Sequence, residues 1–111
     1  MGRGDHLGEF EQLVLLALLS LEGDQSYGMN VRRVLAEIAG RDVSVPTVYS
    51  ALDRLEAKGL VRSHLGEATP ERGGRAKRFF RVRRAGVAAL REARGRLDRM
   101  WEAAGMAPRQ P

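Results

Sequence analysis

Cysteine is missing altogether from this chain of 111 residues. Its absence excludes disulfide frameworks and thiolate metal sites, and it suits a reducing compartment, so a cytoplasmic location is expected. Histidine occurs only twice, and neither His6 nor His64 has a second histidine or a carboxylate pair at ligand spacing. Both are read as ordinary surface histidines, with no metal. Apolar runs of about 18 residues are also lacking, so no membrane span is expected. The opening "MGRGDHLGEFEQ" has neither the apolar stretch nor the small-residue cleavage site of a secretory signal. The glycine-containing stretch "ERGGRAKR" does not follow the G-x-x-x-x-G-K-[ST] pattern and does not lie between a strand and a helix, which excludes a P-loop. No nucleophile motif appears. The reading is therefore not an enzyme and calls for no cofactor.

What is present is a chain of single-domain length with 43% hydrophobic residues, enough for one modest core. The net charge of +5 is unevenly spread. From Arg72 to Arg99 there are 11 basic residues against two acids, a surplus of +9, whereas the remainder carries 8 basic and 12 acidic residues, a balance of −4. Such segregation points to a polyanionic partner, the alternative being a solvated basic face. Part of the surplus, Arg91, Arg94 and Arg96, is spread round a helix and serves solubility, so it overstates any contact surface.

Periodicity divides the chain into five elements. "EFEQLVLLALLSL", Glu9 to Leu21, is rich in helix formers with acids in its first turn. Its apolar residues, Leu13, Val14, Leu16, Ala17, Leu18 and Leu21, wrap more than one face, as in a helix buried by its own core and by a second subunit. In "SYGMNVRRVLAEIAG", Ser26 is a candidate N-cap and Gly40 a helix-ending glycine, with Met29 or Val31, Val34, Leu35 and Ile38 as the buried stripe. In "RDVSVPTVYSALDRLEAKGL", Ser44 is the N-cap, Pro46 falls in the first turn and Gly59 ends the helix. Val48, Leu52 and Leu55 face the core beside Ala51, leaving Thr47, Ser50, Asp53 and Arg54 outward and Tyr49 at the flank. Small polar residues at the start of that outer face allow close approach to another surface. Alternation in "LVRSHLGE" and "KRFFRVR" around a loop at about 68–75 indicates an antiparallel hairpin with a projecting tip. Leu90, Ala93, Leu97, Met100 with Trp101, and Ala104 then form a heptad-like seam on a last helix.

Three helices, a two-stranded hairpin and a long amphipathic helix make a mainly α winged helix-turn-helix arrangement. The stretches "LGEFEQLVLLALL", "YGMNVRRVL", "VYSALDRLEAKGLV" and "TPERGGRAKRFFRV" resemble, in order and spacing over most of residues 7–83, the PadR family of transcriptional regulators. The resemblance implies a cytoplasmic homodimer that binds a pseudo-palindromic DNA operator, most often as a repressor. It implies DNA contacts at Thr47, Tyr49, Ser50 and Arg54 and at Arg75 and Lys77 in the hairpin, to which the charge of the projecting tip adds Arg72. It also implies that the last helix pairs with the first helix of the other subunit; the over-apolar first helix and the last-helix seam offer Leu13, Leu16, Leu90, Ala93, Leu97, Met100 and Trp101 for that interface. Members often carry tyrosine where Phe79 or Phe80 stands, so a hydroxyl contact there is not expected. The expected divisions are an arm at 1–8, the winged domain at 9–83, the dimerisation helix at 84–104 and a frayed tail at 105–111.

Three further alternatives follow from the residues. Tyr49 is either a core-edge aromatic or a phosphate contact through its hydroxyl. The outer face of the third helix and the hairpin would bind protein instead of DNA in a protein-interaction winged helix, but they lack the exposed apolar anchors that protein interfaces use. Trp101, the single tryptophan, packs across the dimer or flanks a cavity for a flat aromatic effector. Quenching of its fluorescence by such a compound supports the cavity. The absence of quenching by any candidate leaves Trp101 a packing residue.

Overall fold

A computed structural model of the chain describes residues 6–21, 23–66 and 77–107. The element order is α1 (Glu9–Ser20), a 3-10 turn (Gly23–Gln25), α2 (Gly28–Glu37), α3 (Val45–Ala57), β1 (Val61–Leu65), β2 (Arg78–Val82) and α4 (Arg84–Ala103). This is the winged helix arrangement expected from periodicity. The loop at 68–75, with Arg72 and Arg75, lies outside the described residues, as do residues 1–5 of the arm and 108–111 of the tail.

The core is built where α1, α2, α3 and the hairpin converge. Val14 and Leu15 of α1, Val31 and Leu35 of α2, Val48, Leu52 and Leu55 of α3, Val61 of β1 and Phe80 of β2 are all fully enclosed. Local signals set most boundaries. Ser44 Oγ accepts the Thr47 N–H at 3.2 Å, and Pro46 lies in the first turn of α3. The other end of α3 closes in a Schellman pattern. Gly59 takes φ +77, its N–H reaches Glu56 O at 2.9 Å and the Leu60 N–H reaches Leu55 O at 3.0 Å. Gly40, at φ +64, follows α2 in the same left-handed region.

Two expectations fail for α2. Ser26 is not its N-cap: Tyr27 is, and the Ser26 hydroxyl donates instead to Gly23 O at 3.2 Å. The backbone explains the delay. Ser26 O accepts the Phe80 N–H at 2.8 Å, and Tyr27 forms a β-bridge with Phe79, so residues 26–27 are held extended against β2 and the helix starts at Gly28. The buried stripe is also narrower than expected. It consists of Val31 and Leu35 with Val34 at its edge, whereas Met29 and Ile38 are exposed. Leu65, which alternation places with Val61 and Ser63, is exposed as well; at that position it is the ladder partner Arg78 that reaches α3, through Asp53 and Glu56.

One carboxylate ties the first helix to the third. Glu11, only 9% exposed in its side chain, accepts the Gly8 N–H at 3.2 Å through Oε1. It also accepts Lys58 Nζ at 2.9 and 3.0 Å through its two oxygens, and Arg54 Nε lies 3.5 Å from Oε2. Burial is the largest single influence on this group and pushes its pKa up. The hydrogen bonds from Lys58 and Gly8, with the charges of Lys58 and Arg54, together outweigh burial and hold the carboxyl below its ordinary 4.5. A carboxyl with a lowered folded pKa contributes stability that is fully present above its unfolded value and is lost as pH falls through the folded value. Glu11→Gln is therefore expected to lower stability at pH 7 by about 2 kcal/mol, the scale of a hydrogen bond to a charged group. In denaturant titrations the gap between wild type and variant should shrink once pH drops below about 4.5. A gap that stays constant down to acid pH contradicts this account.

Candidate nucleic-acid interface

The outer face of α3 follows from its inner one. With Val48, Ala51, Leu52 and Leu55 buried, the 3.6-residue period turns Thr47, Ser50, Asp53 and Arg54 away from the core. Thr47 and Ser50 are exposed one turn apart beside exposed Pro46, and no large apolar group stands between them. The Thr47 hydroxyl lies 2.8 Å from Ser44 Oγ, so the cap and the exposed face share one hydrogen-bonded pair. This end of the helix presents small polar groups and the positive end of the helix dipole, a combination suited to a phosphate or a base edge.

Tyr49 belongs to the core edge. It packs against the apolar cluster, with its ring centroid 6.2 Å from that of Phe80 at an interplanar angle of 60°. A methyl group on Gly28 would meet the Tyr49 ring carbons and hydroxyl oxygen at 2.4–2.6 Å. Gly28 is thus the gap that the ring fills. Arg54 is also engaged inside the molecule, with its guanidinium against Glu11 on α1 and about half of its side chain still exposed. It can meet an outside group only with the part that Glu11 leaves uncovered.

The hairpin lies beside α3 and is fastened to it. Five residue pairs form its ladder, from Val61↔Val82 to Leu65↔Arg78. Residues directly opposite share a face, so Val61, Val82, Ser63 and Phe80 face the core, while Arg62, Arg81, His64 and Phe79 face outward. Arg78, part of the basic run in the sequence, is committed internally. It reaches Glu56 Oε1 at 2.7 Å and Asp53 Oδ1 at 3.3 Å, and its guanidinium lies over the Phe80 ring at 4.8 Å. Glu56 in turn accepts the Ser63 N–H at 3.2 Å and the Ser63 hydroxyl at 2.9 Å. The Ser63 hydroxyl bond is the largest influence on Glu56. Together with Arg78 it holds the carboxyl below its ordinary range, against the opposing effect of burial. The arrangement sets the angle between hairpin and helix and neutralises the acid on the outer face of α3.

Lys77 is half-buried at the entrance to β2, with its ammonium 3.6 Å from the centroid of the Tyr27 ring. Tyr27 meets Phe79 edge-on at 5.9 Å, and Phe79 stacks on His64 at 5.5 Å. Lys77 is therefore held beside the start of β2 by this aromatic seat, an interaction worth on the order of 0.5–1 kcal/mol. Thr47, Ser50 and Lys77 occupy the two neighbouring elements, α3 and the hairpin. Periodicity did not single out Glu11, Glu56, Lys58 and Arg78 as the residues that hold these elements in place, since each is joined to a partner distant in sequence.

The other expected contact surface is split. Leu90 and Ala93 are already buried within the chain, Leu13 is half-buried, and Leu16, Leu97, Met100 and Trp101 are exposed. The exposed residues Leu16, Leu19 and Leu97 flank an open groove of about 670 Å³ between α1 and α4. Beyond it α4 projects, consistent with principal extents of 56 × 33 × 25 Å.

Comparison with known proteins gives a consistent result. The profile of the Transcriptional regulator PadR-like family matches residues 15–92. Among solved structures, a PadR-like transcription factor from Bacteroides fragilis superimposes with a TM-score of 0.72 at 22% identity, covering 86% of each chain. A PadR family transcriptional regulator from Eggerthella lenta superimposes with a TM-score of 0.67 at 26% identity, covering 87% of this chain and 83% of the other. The Orc1 protein of Aeropyrum pernix, solved in complex with DNA, matches with a TM-score of 0.63 at 24% identity, covering 85% of this chain but 27% of that one. No curated protein matches the chain.

Proposed function

The chain belongs to the PadR-like family of transcriptional regulators, and from that membership we propose that it binds a pseudo-palindromic DNA operator as a homodimer and represses transcription there. The observation that carries this reading is the exposed, Ser44-capped start of α3, with Thr47 and Ser50 on its surface and a fastened hairpin alongside. In this reading the first turns of α3 enter the major groove, where Thr47 and Ser50 meet base edges or phosphates. Arg72, Arg75 and Lys77 at the hairpin contact phosphate or the minor groove, which sets affinity more than sequence choice. Tyr49 contributes by holding the start of α3 against α2, and Arg54 contributes a phosphate contact through its uncovered edge.

The homodimer draws support from a surface that one chain leaves uncovered. Leu16 on α1 and Leu97, Met100 and Trp101 on α4 are 45–66% exposed, and large apolar side chains exposed together are a feature of interaction surfaces. A second copy's α4 laid into the α1–α4 groove covers it, and two-fold symmetry then pairs the two α3 helices with two operator half-sites. Trp101, set on that surface, is also where a flat aromatic effector would bind between subunits. The repressor sign rests on the family resemblance, and location in the cytoplasm on the function itself.

Gel shifts with the DNA upstream of the protein's own gene test the reading. Thr47→Ala/Ser50→Ala is expected to weaken specific binding tenfold or more, on the scale of about 1–3 kcal/mol for each base interaction removed. Arg75→Ala/Lys77→Ala is expected to reduce affinity for all duplexes and to flatten the log–log salt dependence by ~0.9 for each phosphate that is no longer neutralised. Light scattering should report a dimer at micromolar concentration. Unchanged affinity and salt slope in both variants contradict DNA binding through these elements, and a monomer contradicts the palindromic operator.

A further inference from the structure

The strongest unassigned feature is an open cleft of about 570 Å³ at the base of the hairpin, lined by Arg62, Arg81, Arg83 and Arg84 with Val82 and Ala85. Arg62 and Arg81 are directly opposed in the ladder on its outward face. Arg83 occupies the cap position of α4, and Arg84 is its first residue. All four are exposed, no acid lines the cleft, and among the described residues none of the four guanidinium groups has an ion-pair partner. Like charges placed directly opposite on neighbouring strands destabilise the pair. The first turn of α4 contains no acid to offset its dipole. Four unpaired guanidinium groups in such a setting form a receptor for phosphate, which their planar forks match.

The nature of the anion follows from what else the cleft contains. No aromatic side chain lines it, so nothing there stacks on a nucleobase or a flat organic acid. The four arginines remain open to solvent, which suits a backbone passing across them better than a small ligand enclosed by them. The Arg62↔Arg81 pair stands three ladder positions behind Leu65↔Arg78, at the tip end, or roughly 10 Å along the strand. It is therefore set back from the tip end of the ladder. We infer that this cleft receives backbone phosphates of the DNA flanking the operator, drawing the flank along the outer face of the hairpin. The inference rests on the DNA-binding reading above.

Two duplexes with the same upstream sequence at their centre test it, one ending at the operator and one longer by about one helical turn, roughly ten base pairs, at each end. For the wild type, lengthening is expected to raise affinity and steepen the salt slope by ~0.9 for each flanking phosphate engaged. Arg62→Ala/Arg81→Ala is expected to match the wild type on the short duplex and gain nothing on the long one. Both residues are exposed on the outward face, so the variant should melt at or above the wild-type temperature. Should it not, Arg83→Gln/Arg84→Gln provides the same comparison. An equal gain in wild type and variant overturns the inference while leaving the DNA reading intact, whereas a wild type that binds neither duplex defeats that reading itself. Calorimetric binding of pyrophosphate by the wild type alone, with no effect of duplex length, assigns the cleft to a free anion and also overturns the inference.

Discussion

The burial of Phe80 is the constraint on which the functional half of this molecule depends. A two-stranded hairpin is marginal in water by itself and becomes stable only by packing against something larger. Phe80 supplies that packing: it is fully enclosed, and its N–H reaches Ser26 O at 2.8 Å. Once Phe80 points inward, the two-residue period of the strand sends Arg81 and Phe79 outward, and the ladder carries Arg62 and His64 with them. The Tyr27–Phe79 bridge then delays the start of α2 to Gly28. The hairpin thus closes one side of the core, through Val61 and Phe80, and also supports the basic groups at its edges.

Electrostatics divides the basic residues into two populations. Arg54, Lys58 and Arg78 are joined to Glu11, Asp53 and Glu56, and these pairs fix α3 against α1 and against the hairpin. The buried Glu11 carries the stabilising share, whereas the partly exposed pairs of Arg78 matter for geometry and contribute little net stability. Arg62, Arg81, Arg83 and Arg84 have no such partners among the described residues, and their field is directed outward. Counting charge along the chain merges the two populations, although only the first is engaged within the molecule.

Features governed by neighbouring residues were legible from sequence. Ser44, Pro46 and Gly59 have local roles in capping and terminating α3, and the structure places them as their chemistry predicts. The outward placement of Thr47 and Ser50 follows from helical period alone. Long-range bonds were not legible. Nothing near Ser26 announces that its carbonyl is claimed by Phe80, and nothing near Glu11 announces Lys58, 47 positions away. Apolar spacing likewise identified the seam of α4 without saying what covers it. Leu90 and Ala93 are covered by the chain itself, while Leu97, Met100 and Trp101 are exposed. Arg72 and Arg75 lie outside the described residues, so their roles stand on the sequence reading.

The central claim is that the first turns of α3 and the adjacent hairpin form the DNA-binding surface. Amide hydrogen exchange of the protein with and without its upstream duplex tests it most directly, because it reports each element without altering a residue. Added protection is predicted in peptides spanning Ser44–Ala51 and in those spanning the hairpin, with the outer turns of α4 unchanged by DNA. Protection confined to α1 and α4, or none in α3, would contradict it.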